Sequence, residues 1–189
     1  DVGLLYEDVL SELNISYDYW DTGDNGTFEP SRLDDIADYS TIIWFNGFIG
    51  AAPEPETEPV LAQYLDEGKC FFINAQDYYY NRGLTPFMHD YLGVEEATDD
   101  LSDGLTWHSV ITGTEPIFGN LGPYTLLYPT DNYSDLITPT VGAGVAFVGN
   151  AGNAAVYKDG GNYRTTYWGF EYENLPTPEA LLETMQRVL

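Results

Sequence analysis

Cations are scarce in this chain. Two lysines, Lys69 and Lys158, belong to a total of six basic residues set against 31 acidic ones, for a formal charge of -25 at neutral pH. So negative a surface repels phosphate backbones and anionic headgroups, which excludes nucleic acid as a partner. Most carboxylates must therefore be hydrated or bound to cations. Two readings stand: a solvated acidic surface suited to a saline or extracellular setting, and Ca2+ held by oxygen ligands. Cysteine is represented once, by Cys70; no internal disulfide can form, and its apolar surroundings predict a buried, inert thiol. Histidine is confined to His89 and His108. No run of eighteen apolar residues occurs, so membrane insertion is not expected. Neither an initiator Met nor a signal peptide is present, and the chain reads as a mature or excised piece of a longer secreted protein.

What is present is a globular composition. The 189 residues are 43% hydrophobic and 15% aromatic, enough for one well-packed domain. Val2, Leu5, Tyr6, Val9, Leu10 and Leu13 repeat at helical spacing and predict an opening amphipathic helix, the competing reading being a short strand over Val2 to Tyr6 followed by a stub of helix. Alternation over Ile15 to Trp20 predicts a strand, Asp21 to Pro30 a turn-rich loop, and Ser31 to Tyr39 a short helix. The apolar run Thr41 to Phe45 is a strand, Thr57 to Glu67 a helix stopped by Gly68, and Cys70 to Ile73 a strand covered on both faces. Strands and helices alternating at this spacing predict an α/β fold with a mostly parallel sheet flanked by helices. On this reading the strand that should precede the first helix is absent, which leaves an open sheet edge.

From Leu105 the pattern changes to turn-punctuated β segments. LTWHSVIT, YTLLYP and GVAFVG are the clearest, and Asp159-Gly160-Gly161 between two alternating runs signals a hairpin. Glu179 to Leu189 closes the chain as a helix.

The segment Lys69 to Tyr80, KCFFINAQDYYY, joins an apolar strand to a small polar turn in the manner of a nucleophile elbow. Asn74, Ala75, Gln76 and Asp77 include no side chain that attacks a carbonyl as Cys, Ser or Thr does. Together with Asn46-Gly47 in WFNGF and Glu171-Tyr172-Glu173 in WGFEYEN, this order resembles the class I glutamine amidotransferase-like fold, a flavodoxin-like arrangement. It resembles in particular the ThuA-like domains of large secreted bacterial proteins. The resemblance implies an oxyanion loop at Asn46-Gly47, a nucleophile turn at Ala75-Gln76-Asp77, and a base where Glu171 stands. Both nucleophile and base are missing, and neither histidine falls at the matching position; a surface or structural role is expected for His89 and His108.

Three further groups stand out. Asp21 to Glu29 is dense in oxygen ligands with Gly26 at the sixth position, and Asp21, Asp24 and Glu29 are its candidate Ca2+ ligands; Gly23 and Arg32 at the third and twelfth positions depart from an EF-hand, so a hydrated turn is the competing reading. The acidic stretch Glu95 to Asp103 reads as an exposed loop. Tyr78, Tyr79, Tyr80, Trp44, Phe45, Phe48 and Trp168 lie near the carboxyl ends of the strands, where open α/β sheets bind ligands, or serve as core packing. The candidate ligand pocket is Asn46, Gly47, Gln76, Asp77, Tyr78, Glu171 and Glu173. Sequons at Asn14, Asn25 and Asn132 permit glycosylation in a secreted protein.

These readings converge on a noncatalytic extracellular module of a secreted or cell-surface assembly. It joins itself or other surface-protein domains through an open sheet edge, and needs no cofactor unless Ca2+ binds. The alternatives are a hydrolase acting on a glycan or ester through Asp77, Glu171 and Glu173, and a glycan-binding module.

Overall fold

The computed structural model describes residues 2–22, 29–46, 52–99, 107–128 and 132–189. The first helix, α1 (Val2–Glu12), is as expected, and it ends where Asn14 adopts a left-handed backbone (φ 58°). After it come β1 (Thr41–Phe45), α2 (Thr57–Asp66), β2 (Cys70–Asn74) and α3 (Tyr78–Arg82). The β-rich half supplies β3 (Val94–Thr98), β4 (Val110–Gly113), β5 (Tyr124–Thr125), β6 (Leu136–Pro139), β7 (Ala143–Gly149), β8 (Asn153–Asp159) and β9 (Arg164–Trp168), and α4 (Pro178–Val188) closes the chain.

Among the described residues the main sheet has seven strands, in the order β1-β2-β9-β8-β7-β4-β5. Only β1, β2 and β9 run parallel; β9-β8, β8-β7, β7-β4 and β4-β5 are antiparallel, so the sheet is mixed rather than mostly parallel. The cause is the hairpin at Gly160-Gly161: it returns the chain directly into the sheet without a crossover helix, and the strands beyond it inherit that antiparallel sense.

Three other expectations are corrected. Residues 15–20 pair with no strand of the described sheet: side chains hold them near β1, Tyr19 against Phe45 and Asp18 accepting from the Tyr39 hydroxyl, and no backbone ladder forms. The segment Ser31 to Tyr39 forms a short 3-10 turn at Leu33–Asp35 rather than a helix, with Asp35 Oδ2 accepting from the Arg32 N–H. Glu95 and Glu96 lie within β3, which pairs with β6 in a separate two-stranded sheet; residues 100–103 of that acidic run lie outside the described residues.

The core divides between the two faces of the main sheet. On one, Tyr6, Val9 and Leu10 of α1 and Leu181 and Met185 of α4 pack over Phe72, Phe147, Trp168 and Phe170. On the other, Leu61, Tyr64 and Leu65 of α2 cover Phe71, Ile73, Tyr78, Val156 and Tyr167. Successive β2 residues thus face opposite layers, which explains the unbroken apolar run in the sequence. Cys70, expected buried, is half-exposed at the amino end of β2.

Candidate functional site

Phe45, Asn74 and Trp168 are in register across β1, β2 and β9, so the three parallel strands end at one level. Asn46, Gln76, Asp77, Glu171 and Glu173 of the candidate pocket all follow these strand ends. Asn46 follows β1 directly, and its Oδ1 accepts from the Trp44 indole N–H at 3.1 Å. Gly47 lies outside the described residues, as does the oxyanion loop expected around it.

The turn after β2 is fully committed to structure. Gln76 is buried, and its Oε1 accepts from the Tyr133 backbone N–H at 3.1 Å, tying the turn to the segment ahead of β6. Asp77 begins α3, close enough to Glu171 to repel its charge. Tyr78 turns away from the edge: it is buried on the α2 face, where its hydroxyl donates to Glu58 Oε1 at 2.8 Å and its ring meets Tyr167 edge-on. It is therefore core, not pocket.

Beyond β9, Glu171 precedes a 3-10 turn at Tyr172–Asn174 and Glu173 stands within it. Glu171 is 1% exposed, and its Oε2 accepts from Asn174 Nδ2 at 3.4 Å. Burial, reinforced by the charges of Glu173 and Asp77, pushes its carboxyl up to about 8. Burial likewise pushes Glu173 up to about 7, against the lowering effect of a backbone hydrogen bond and of the Tyr6 hydroxyl. Asn74 Nδ2 donates to Tyr6 Oη at 2.8 Å and to Glu173 Oε2 at 3.4 Å. The structure thus brings Asp77, Glu171 and Glu173 into one charge cluster, and adds Tyr6, Asn74 and Asn174, which sequence reasoning missed. A polar Asn ending an otherwise apolar strand was the available signal for Asn74.

Access is the decisive property of this cluster. Glu171 Oε1, Glu173 Oε1, Asn74 Oδ1, Gln76 Nε2 and Asn174 Oδ1 have essentially no solvent-exposed surface. A hydrolytic pair needs a carboxyl oxygen within reach of substrate and water.

The histidines play the roles expected of them. His89 is on the surface beside Asp90 and Glu95, at 2.7 and 3.6 Å. His108 is buried against Gly149, where a β-carbon would collide with its ring; its Nε2 lies 3.2 Å from the Asp135 carbonyl, and burial lowers its pKa to about 4. The unfolded state therefore binds the proton more readily between pH 6.5 and 4, and His108 withdraws stability as pH falls through that window. An NMR titration should show the His108 ring still neutral at pH 5.5 in the folded protein; a midpoint near 6.5 would refute its burial as described.

Of the candidate Ca2+ ligands, Asp24 lies outside the described residues. Glu29 Oε2 accepts from Glu54 N–H at 2.9 Å and Thr57 Oγ1 at 2.6 Å, which satisfies donors at the start of α2. Among the described residues, no three His, Cys, Asp or Glu side chains form a metal group, and no helix is long and apolar enough to cross a membrane. Of the sequons, Asn14 is exposed, Asn25 lies outside the described residues, and Asn132 uses its Nδ2 to hold the His108 carbonyl at 3.1 Å, so the folded chain does not present Asn132 freely.

No family model and no curated protein sequence matches the chain. Similarity appears in three dimensions. A cytoplasmic protein of Salmonella typhimurium superposes with a TM-score of 0.65 at 11% identity, over 97% of this chain and 84% of that one. A GMP synthase-type protein from Thermoplasma acidophilum superposes with a TM-score of 0.57 at 13% identity, over 97% and 85%. A β-galactosidase from Bacillus circulans matches 97% of this chain with only 26% of its own length, at 15% identity and a TM-score of 0.62. At these identities the likeness concerns fold alone: the chain has an α/β fold similar to that of the GMP synthase-type protein, and spans about a quarter of the β-galactosidase.

Proposed function

We propose that the domain is a noncatalytic module of the ThuA-like, amidotransferase-like kind, serving as a building block or binding surface in a secreted or cell-surface assembly, with the open edge of its sheet as the contact. One observation carries this reading: the turn at Ala75-Gln76-Asp77 holds no nucleophile, and Gln76 within it is spent on the Tyr133 backbone. Glu171, in the base's place, is a buried carboxyl rather than an imidazole. The high negative charge suits an extracellular, saline setting and calcium-rich surroundings, and it opposes nucleic acid. That a β-galactosidase includes a segment of this fold within a much longer chain supports the role of a part within a larger protein.

The hydrolase reading retains one favourable observation, the clustering of Asp77, Glu171 and Glu173 with raised carboxyl pKa values. Incubation with glutamine, nitrophenyl esters and nitrophenyl glycosides separates the two. No turnover above the buffer rate is expected; turnover that Glu171→Gln abolishes while the fold persists would establish the enzyme instead. A glycan array addresses sugar binding without turnover.

A further inference from the structure

We propose that the open edge of β1 is a β-addition site for an extended segment of a separate polypeptide, apolar and uncharged over about five residues and basic at its ends, running parallel to β1. The proposal rests on the interaction-module reading above and names the partner's chemistry. Its starting point is the hydrogen-bond phase of β1. The Cys70 N–H donates to the Ser40 carbonyl at 3.0 Å. In a parallel ladder each residue turns its N–H and C=O to the same side, and the side alternates along the strand. Ser40, Ile42 and Trp44 therefore face β2, and Thr41, Ile43 and Phe45 direct three donors and three acceptors to the side on which no strand of the described residues pairs with β1.

The side chains of β1 are those of an interior strand. Ile42 and Trp44 pack into one core layer, Ile43 and Phe45 into the other. Natural edge strands are protected by a charge, a proline, a bulge or a covering loop; TIIWF has none of the first three, and the neighbouring segment 15–20 touches it through side chains without closing its backbone groups. The segments bordering this edge expose large apolar and aromatic side chains among their carboxylates: Ile15, Tyr19, Trp20 and Tyr39. Side chains rather than a ladder hold residues 15–20 nearby, with Tyr19 ring to Phe45 ring at 6.3 Å and Tyr39 Oη donating to Asp18 Oδ2 at 2.8 Å.

The direction follows from α1. Near its start, Tyr6 stacks on Phe45 at 4.0 Å, so the helix begins at the carboxyl edge of the sheet and runs back toward the amino edge. Ile15, bonded to the Leu10 carbonyl at the far end of the helix, then leads the chain back to Tyr19 beside Phe45. Residues 15–20 thus run in the direction of β1, and a strand entering next to β1 meets parallel neighbours on both sides.

Charge selects the partner. Glu7, Asp18, Asp21 and Asp38 act on the tyrosines bordering the edge, while Arg32 is paired with Asp34 and Lys69 is held by the Ala37 carbonyl. Basic flanks complement that rim. A second copy does not: it brings another charge of -25, and a two-fold symmetric pairing of β1 with itself would be antiparallel.

The test uses the whole chain and the peptide acetyl-Lys-Lys-Thr-Val-Ile-Val-Thr-Lys-Lys-amide, with a control carrying Glu at every Lys. In the free protein, the amides of residues 41, 43 and 45 should exchange at least about 100-fold faster than those of β2, and the basic peptide should slow them about tenfold or more. The acidic control should bind about tenfold more weakly, and the difference should shrink at high salt. Thr41→Pro removes one outward donor at the first residue of the strand, where proline is tolerated, and should weaken binding; Ile43→Pro does so at the centre, and unchanged exchange in β2 certifies either fold. No protection at about 1 mM peptide, well above the range of specific β-addition, overturns the proposal. Concentration-dependent dimers protecting the same amides also overturn it, yet leave the interaction reading intact. Protection in the free monomer sinks both the proposal and the open-edge contact.

Discussion

Trp168→Ala should cost about 3 to 5 kcal/mol of folding stability, the largest single loss expected from a core truncation in this chain. Trp168 ends β9, the strand at which the parallel and antiparallel parts of the sheet meet, and it is completely buried. Its ring packs against Phe72, Phe147 and Phe170 at centroid distances of 4.7, 5.0 and 5.2 Å, and its Nε1–H donates to Thr166 Oγ1 at 2.8 Å. Truncation removes a body that joins β2, β7 and β9 and leaves a space that three other rings cannot close without leaving their rotamers. Trp168→Phe retains much of the area but loses the indole donor, and should cost about 1 to 2 kcal/mol. Urea unfolding measures both; a loss under about 1 kcal/mol for the alanine variant would contradict the central place given to this ring.

Glu171→Gln should stabilise the protein at pH 8 and make little difference at pH 5. The folded pKa of Glu171, about 8, exceeds the ordinary 4.5, so the native state binds more protons than the unfolded chain between those values. Its contribution is fully present below pH 4.5 and is lost as pH rises through 8. The amide keeps the shape of the protonated acid and never ionises, so it escapes that loss, which is on the order of 3 kcal/mol. Glu173 acts with the same sign up to about pH 7. Thermal melts of the wild type and the variant from pH 5 to 8.5 should therefore diverge upward with pH. Parallel curves would mean that Glu171 ionises as freely as a surface carboxylate. The comparison also cancels the general repulsion of a chain this acidic, which the two proteins share almost fully.

Local patterning in the sequence predicts α1, β1, α2, β2, the β8–β9 hairpin and α4, because each is set by an apolar period or a turn within its own residues. It does not predict which strands become neighbours. The segment 15–20 has a strand's alternation, yet a strand exists only through a backbone ladder, and this segment meets β1 by side chains and joins no described sheet. The Glu95-Glu96 pair hides β3, since its exposed face toward water reads as a charged loop while Val94 and Ala97 pack inward. At the candidate site, motif order names Asp77, Glu171 and Glu173, and in the structure the charges of Asp77 and Glu173 act on Glu171. It misplaces Tyr78 because the turn into α3 rotates that ring to the opposite face; Tyr6 meets the cluster only through tertiary packing, whereas Asn174 meets Glu171 within the local turn.

The position of β9 has a consequence for how the protein is made. Its two neighbours arrive at very different times: β8 immediately precedes it, whereas β2 has left the ribosome long before. Until β9 emerges, β1 and β2 form a two-stranded parallel pair with one apolar layer lacking α4, too little to stand alone. The nascent domain therefore carries aromatic surface exposed for most of its synthesis, and closes in a single late step when the last thirty or so residues appear, at translation rates of about 5 to 20 residues per second. A ribosome-stalled chain ending before Arg164 should be digested by protease throughout, and one extended past Leu189 by a linker that clears the exit tunnel should be resistant.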